Sequence, residues 1–529
     1  MKKIFIAVIA MCSLQQIQAQ DVFDALRYSY QPVTTGSARI QAIGGANISL
    51  GGDISSAFIN PAGLGQFKTN EIVLSPGFNL NSDKMLYNDK TTTGKKNKMN
   101  FGASGIILSW GSRFNENASS TMSFAINRAA NYNSGFSYGG RNLNSSYSFK
   151  WIEEIDNSNA SSIDDIRKKF PLGASQAYES YLLDLDSLGR LFSYASTDKN
   201  LDQQFSYQTA GGMTEAAFAM AWNRNNKFLY GITIGIPIIN YERKTTVTEK
   251  DGTGNTNNDF ESFIFTENLK TTGTGFNAKL GLIFKPVEYF RIGLTFHSPS
   301  LISLKDVTDA SVTSNIENLA KRLNNDPNKP TSYTYNTYDI NSEAGINGSE
   351  NIYNYQLTTP WKLGASLSYV FREINDVTKQ KAFITGDFEL VNYKAMSYSS
   401  SENVPDPGEV EYFKGLNTSI DDTYKMTFNA KIGGELKFET IMVRAGFNYM
   451  GSPFSKDFIG DSDIKGWRMT PSLGIGYRDK GMFLDLTYAH SFGRSFHVPY
   501  TLSNPNYSYP YAKDNYFNGQ IVATVGFKF

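Results

Sequence analysis

Apolar and polar side chains take turns along most of the chain, over stretches of about ten residues. This is the period of a strand with one face against something greasy and the other against water. The last stretch is the clearest: Ile521, Ala523, Val525, Phe527 and Phe529 alternate with Gln520, Val522, Thr524, Gly526 and Lys528. The same rhythm runs through Phe290, Ile292, Leu294 and Phe296 against Arg291, Gly293, Thr295 and His297. It recurs in Ile441, Val443, Ala445, Phe447 and Tyr449, and in Met426, Phe428, Ala430, Ile432, Gly434 and Leu436.

Such segments fall near 70 to 80, 99 to 110, 120 to 132, 211 to 222, 228 to 242, 261 to 285, 288 to 298 and 353 to 371. They continue at 381 to 394, 422 to 438, 440 to 450, 466 to 479, 481 to 492 and 515 to 529, fourteen in all. The connections between them alternate in length. Short ones at 111 to 119, 223 to 227, Pro286-Val287, 372 to 380, Glu439 and Asp479-Lys480 are interleaved with long ones at 81 to 98, 133 to 210, 243 to 260, 299 to 352, 395 to 421, 451 to 465 and 493 to 514. A barrel inserted from one side has short turns where it entered and long loops opposite, whereas a β-sandwich has no reason to keep that parity. A sandwich or propeller would instead call for a two-sheet core or internal repeats, and no fixed sequence period is present. The fold class expected is therefore all-β, a fourteen-stranded antiparallel transmembrane barrel.

Two of the long connections carry helical spacing: Ile163, Ile166 and Phe170, then Tyr178, Tyr181, Leu182, Leu185 and Leu188, and separately Ile316, Leu319 and Leu323. Helical insertions in the outer loops are expected at about 150–200 and 310–325, either capping the barrel mouth or offering apolar faces to a greasy ligand. No stretch beyond residue 20 reaches the ~18–20 apolar residues of a membrane helix; the best, Ile232 to Ile239, is interrupted by Thr233, Gly235 and Pro237.

Composition sharpens this picture. Aromatics make up 14%, with 37 Phe, 31 Tyr and 45 Gly, a mixture that favours strands and turns. The 50 Lys+Arg cancel the 50 Asp+Glu, so no basic field exists to draw nucleic acid. Lys2 and Lys3, the apolar run Ile4 to Met11 and Ile17-Gln18-Ala19 read as a secretory signal over 1–19, with the mature chain starting at Gln20. The single cysteine, Cys12, lies inside it, so no disulfide is expected; Met11 is too large for Cys12 to be a lipidation site. With only His297, His490 and His497 and no mature cysteine, a zinc site or Cys/His pair has little material, so no cofactor and no enzymatic activity are expected. Gly94-Lys95 lacks the upstream glycine of a phosphate loop, Asp89 standing in its place.

Fourteen strands ~4.8 Å apart and tilted ~40° enclose a backbone radius of about 14 Å, too wide for inward side chains to fill. Residues 20–69 precede the first strand, do not alternate, and are rich in turns: Gly44-Gly45-Ala46, Gly51-Gly52-Asp53 and Asn60-Pro61-Ala62-Gly63. They are expected to form a lumenal hatch, leaving 70–529 as the barrel.

The run from Ile43 to Leu64, IGGANISLGGDISSAFINPAGL, resembles the amino-terminal hatch of the FadL/TodX/OmpP1 family of outer-membrane transport proteins, particularly its Bacteroidetes-like branch, with Asn60, Pro61 and Ala62 on the hatch's Asn-Pro-Ala. Pro360 to Gly364 and Val443 to Tyr449 are similar to that family as well. The resemblance implies passive uptake of hydrophobic small molecules, such as long-chain fatty acids or aromatic hydrocarbons, across the outer membrane of a Gram-negative bacterium. In the family, ligand lands on an external groove, enters the lumen and leaves sideways as the hatch rearranges. The family's groove lies in the third and fourth outer loops, whereas the largest helical insertion here falls in the second.

Particular residues follow. Asn60, Pro61, Ala62 and Gly63 are the candidate gating turn, Asn60 bonding nearby backbone. Arg291, Arg444, Lys279, Lys431, Glu435, Asp387, Glu389 and Asp485 fall on the inward face, where charges stay hydrated or paired. The basic four, Arg291, Arg444, Lys279 and Lys431, are candidates to hold a ligand carboxylate. Phe529 is the candidate assembly signal. Expected partners are a hydrophobic ligand, outer-membrane lipid and the barrel assembly machinery. Two rivals are a haem or other surface-ligand receptor using His490 and His497, and an outer-membrane esterase with a histidine at the rim.

Overall fold

The computed structural model describes residues 21–29, 35–111, 118–158, 160, 162–343, 351–372, 380–459 and 466–529. The expected signal segment 1–19, with Cys12, lies outside them, as do parts of the connections 111–119, 372–380 and 451–465.

The fourteen barrel strands run as follows, several broken once along their length. They are β1 (Glu71–Leu74 and Pro76–Tyr87), β2 (Lys90–Phe101 and Ser104–Gly111), β3 (Ser119–Asn131 and Ser134–Arg141), β4 (Asp202–Arg224), β5 (Phe228–Lys250), β6 (Ser262–Val287) and β7 (Phe290–His297 and Leu301–Asn315). The rest are β8 (Asn351–Thr358 and Lys362–Arg372), β9 (Gln380–Asn392 and Ser397–Ser400), β10 (Met426–Phe438), β11 (Ile441–Met450), β12 (Arg468–Asp479), β13 (Met482–His497) and β14 (Ala512–Lys528). Each pairs antiparallel with its sequence neighbours, and β14 returns to β1 through Ile72↔Phe527 and Phe78↔Ile521, closing the cylinder. Every strand expected from the alternation is present.

The alternation has the cause inferred for it. On β5 the outward residues Ile232, Ile234, Ile236 and Ile238 are all exposed, while Leu229, Thr233, Ile239 and Tyr241 are buried toward the interior. Leu473 on β12 stands 65% exposed. Apolar side chains this open on every side of the molecule form a belt for lipid tails. An aromatic girdle marks the short-turn end, where Trp222 stacks on Tyr230 at 5.4 Å and Phe228 on Phe284 at 4.8 Å. The turns there use residues that tolerate positive φ: Asn225 and Asn226 between β4 and β5, Lys480 and Gly481 between β12 and β13.

The structure corrects the loop boundaries. The long connection expected at 81–98 is mostly strand, β1 and β2 continuing to a tight turn at Asn88-Asp89, and that at 243–260 is shortened, β5 running to Lys250 before β6 starts at Ser262. Beyond the membrane both faces of a strand meet water or loops, so segments such as Thr245 to Thr248 carry no apolar rhythm. The turn between β6 and β7 falls at Glu288-Tyr289, two residues later than expected. In the second outer loop, helices occupy Ser148–Asn157, Ile163–Lys169 and Ala174–Glu179, but Leu183–Leu185 pairs with Leu191–Ser193 as a hairpin where a helix through Leu188 was expected. Residues 312–315 belong to β7, leaving a short helix at Leu319–Leu323. The longest helix among the described residues, Pro407–Thr423, lies in the fifth outer loop and was not anticipated. Its signals were present, with Asp406 as N-cap, Pro407 in the first turn, and Phe413, Leu416 and Ile420 at helical spacing.

Candidate functional site

Residues 36–67 lie inside the barrel. They form two short helices, Ala38–Ala42 and Ser56–Ile59, and a tight helical turn, Pro61–Gln66, and most are buried. Small residues leave the backbone groups of this segment accessible, and the inward polar residues of the wall take them up. Thr524 of β14 accepts from the Ala38 amide at 2.8 Å, and Thr487 of β13 donates to the Ala38 carbonyl at 2.6 Å. Asp387 of β9 accepts from the Asn47 and Ile48 amides at 2.8 and 3.0 Å, and Thr233 of β5 donates to the Ala57 carbonyl at 2.9 Å. The segment is thus fastened to widely separated strands of the cylinder.

Asn60 ties the segment both to itself and to the wall. Its side-chain oxygen accepts from the Ala62 amide at 3.1 Å, capping the Pro61–Gln66 turn. Its side-chain nitrogen donates to the Ile48 carbonyl at 2.6 Å and to the Leu294 carbonyl of β7 at 3.1 Å. Pro61, Ala62 and Gly63 are buried beside it. Opposite stand wall glycines: a β-carbon at Gly231 would meet the Pro61 carbonyl carbon at 2.6 Å, and one at Gly293 would meet the Ser49 α-carbon at 2.7 Å. These inward glycines are seats for the segment, unnoticed in the sequence because glycine there reads only as a neutral member of the polar face.

The four candidate cations separate into two pairs. Arg444 has a fully buried side chain at 2.6 Å from both Glu435 and Asp485, and Arg291 donates to the Leu50 carbonyl at 2.6 Å and to Gln66 at 3.1 Å. Both are engaged with wall or plug. Lys279 and Lys431 instead line a cavity of about 110 Å³ above the plug, together with Glu215, His297, Lys362 and Glu389. There Lys279 is ion-paired with Glu215, and Glu389 accepts from Asn429 at 2.9 Å.

Nearer the long-loop end the lumen is aromatic and already filled. Helix Val22–Ser29 lies among Tyr132, Tyr241, Tyr355, Tyr398, Phe413 and Tyr424. Tyr28 packs on Tyr132 and Tyr241 at 6.0 Å each, and the Arg27 guanidinium sits 4.6 Å over the Tyr241 ring. Tyr424 and Tyr398 donate to the Val22 and Asp21 carbonyls at 2.9 and 3.1 Å. Outside, a groove of about 710 Å³ runs beside helix Pro407–Thr423, bordered by Tyr398, Val410, Phe413 and Lys414.

Backbone pairing lapses along the seam between β2 and β3, although the strands stay in contact there, Gly94 lying against the Gly135 carbonyl. β2 and β3 are paired only along Ser104–Gly111 and Ser119–Ile126. Above that, Lys90–Phe101 pairs with β1 alone and Ser134–Arg141 with β4 alone. Near the rim, side chains bridge the two strands, with Asn88 donating to the Arg141 carbonyl at 3.0 Å and Thr92 to the Ser137 carbonyl. Between ladder and rim, a polar niche lined by Asn79, Asn100, Phe101, Arg128 and Asn131 reaches Gly36 and Gln41 of the plug. The local causes are the break at Gly102-Ala103 and a bulge between Arg128 and Ala130.

The two outer histidines face opposite ways. His490 shares a hydrogen bond with Tyr488 at 3.0 Å on the lipid face, and His497 shares one with Tyr138 at 2.8 Å inside. Phe529 lies past β14, its amide donating to the Asn70 carbonyl at 3.1 Å and its ring turned outward, 67% exposed.

No family model and no curated protein matches the sequence. Solved structures do match. A Pseudomonas aeruginosa FadL homologue aligns at 13% identity with a TM-score of 0.53, covering 94% of this chain and 99% of that one. The P. putida toluene transporter TodX aligns at 11% identity with a TM-score of 0.50, covering 95% and 99%. This chain therefore shares a fold with those barrels over nearly its whole length, as the resemblance in the Ile43 to Leu64 run implied.

Proposed function

We propose that the protein is an outer-membrane channel for passive uptake of hydrophobic small molecules, of the class of long-chain fatty acids or aromatic hydrocarbons. The observation that carries this reading is a blocked bore combined with a wall seam that lacks backbone pairing. A segment fastened to strands all around the lumen closes the straight route, and the lapse of backbone pairing between β2 and β3, where the structure holds a niche of about 10 Å³, is where we place the sideways exit. A solute that prefers lipid gains by leaving sideways; a sugar or ion does not. The shared fold with a toluene transporter supports the same reading.

In the proposed path, ligand lands in the groove beside Pro407–Thr423, passes into the aromatic chamber as helix Val22–Ser29 withdraws, and leaves through the β2–β3 window. Residues 20–69 act as the hatch, turning about Asn60 to Gly63. Lys279 and Lys431 hold an anionic headgroup where a ligand carries one, while Arg291 and Arg444 hold the hatch and the wall. Phe529 serves the assembly machinery. The haem-receptor rival loses support because His490 and His497 lie on opposite faces of β13, and the esterase rival because both are bonded to phenols rather than to a nucleophilic hydroxyl.

The test is uptake into proteoliposomes of the mature chain. Oleate and toluene are expected to enter faster than into empty liposomes, saturably and without an ion gradient, while a disaccharide is excluded. Free passage of the disaccharide, or no acceleration of either hydrophobic probe, would overturn the reading.

A further inference from the structure

The outward face of the barrel carries a second feature, unrelated to the transport path. On β13, β14, β1 and β2 the residues just beyond the lipid belt fall into rows fixed by the strand register. One row holds Phe492, Phe517, Ser82 and Lys95; the next toward the long-loop end holds Arg494, Asn515, Lys84 and Thr93; in the row after that Lys513 faces Leu86. Below them lie Tyr488, His490, Phe78 and Met99, the aromatic edge of the belt. Lys84, Lys95 and Arg494 are exposed, and Lys84 stands 5.3 Å over the Phe517 ring.

Among the described residues, no carboxylate shares these rows. Asp83 and Asp514, on the same strands, alternate to the inner face, where Asp83 accepts from Ser134 and Asp514 pairs across the ladder with the buried Met85. Asp89 sits at the hairpin tip. The contrast with the opposite wall is direct: there Lys270 faces Glu242 across the ladder, and Asn268 beside it donates to Asp309 at 2.9 Å. Like charges on neighbouring strands repel, so a cationic cluster without interleaved acids carries a standing cost that a bound polyanion removes. Strands ~4.8 Å apart put Arg494 and Lys84 roughly 10 Å from one another, with Lys95 about 7–8 Å from Lys84 on the diagonal. That is a footprint for two phosphates rather than one, held at headgroup level by the aromatic edge beneath.

We propose that this face of β13, β14, β1 and β2 binds the phosphate-bearing headgroup of a membrane lipid through Lys84, Lys95 and Arg494. The lipid's acyl chains lie against the belt below, and its phosphates bridge the three cations.

The test uses the mature full-length chain in detergent with three probes: diphosphoryl lipid A, the same lipid with its phosphates removed, and inorganic phosphate. Retained lipid is counted by native mass spectrometry. The wild type is expected to keep the diphosphoryl form in preference to the dephosphorylated one, and excess inorganic phosphate is expected not to displace it. Lys84→Gln/Lys95→Gln/Arg494→Gln is expected to lower retention by at least about tenfold. Lys84→Arg/Lys95→Arg should retain it, and Lys270→Gln/Lys305→Gln on the opposite wall should leave it unchanged, with folding of each variant checked by heat-modifiable migration. Equal retention of the two lipids, equal losses from both walls, or displacement by inorganic phosphate would each overturn the proposal.

Discussion

Asn60 of the plug occupies the space that a β-carbon on Gly281 of β6 would require, so the carboxamide that ties plug to wall fits only because residue 281 has no side chain. The two positions are one lock, half on each side of the lumen.

Asn60→Ala and Gly281→Val are therefore expected to loosen the plug by different routes and leave the barrel assembled. The first leaves the Ala62 amide and the Ile48 carbonyl without that partner, a cost of roughly 1–3 kcal/mol; the second fills the seat. Faster amide exchange in residues 43–64 and raised ion conductance in planar bilayers are expected for both. Unchanged exchange and conductance would separate Asn60 from plug seating.

Arg444 gives a prediction of another kind. It is buried between Glu435 and Asp485, so Arg444→Leu strands Asp485 inside the wall and leaves Glu435 only the longer contact to Arg39. Loss of about 3–5 kcal/mol is expected, read as an earlier midpoint in urea unfolding. Arg291→Leu should cost less, since its partners are the neutral Leu50 carbonyl and the Gln66 carboxamide.

The second outer loop is expected to loosen as pH rises. Glu249 lies at the far end of β5, well beyond the outward isoleucines and outside the membrane, and accepts from Ser146, the Tyr147 amide and Gln203 at 2.6, 2.7 and 2.7 Å. Those donors favour the carboxylate, but burial outweighs them and pushes the carboxyl up from 4.5 to about 7. Between those values the folded state holds a proton that the unfolded state releases, so stability falls as pH rises from 4.5 to about 7 and levels off above. Proteolysis within 142–201 should quicken over that window, and Glu249→Gln should flatten the profile. A rate that is flat, or that falls with pH, would contradict this assignment.

How much of this was legible in the chain depended on where water ends. Wherever one face met lipid, as at Ile232 to Ile238, the two-residue rhythm announced the strand. Where the outer face met water instead of lipid, as at Thr245 to Thr248 or Asn81 to Lys98, it vanished, and only the positive-φ pair Asn88-Asp89 marked the turn. Asn60 could be read as a turn former, but its bonds to β7 could not, because they join residues far apart in sequence. Arg291 and Arg444 looked equivalent to Lys279 and Lys431 from their inward parity alone. Depth along the strand and the carboxylates opposite decide their roles, and neither is written in alternation. The docking of Val22–Ser29 in the aromatic chamber carried no local signal at all.

Phe529 bears on assembly rather than passage. Its ring faces outward past the end of β14 while its amide ties to Asn70, so deleting it removes an exposed aromatic and little packing. Outer-membrane levels are expected to drop several-fold while refolded protein keeps the wild-type unfolding midpoint. Normal levels in the membrane would count against an assembly role.

The claim on which the account rests is sideways exit between β2 and β3, and a bridge across that window tests it most directly. The single cysteine, Cys12, lies in the expected signal segment and is replaced by Ser in the test chain, so Asn100→Cys and Asn131→Cys, both lining the niche, can be joined by a short bifunctional thiol reagent. Proteoliposome uptake of toluene and oleate is expected to fall to the level of empty liposomes once the bridge forms, and to remain near wild type in each single-cysteine control treated alike. Undiminished uptake with the window bridged would contradict the account.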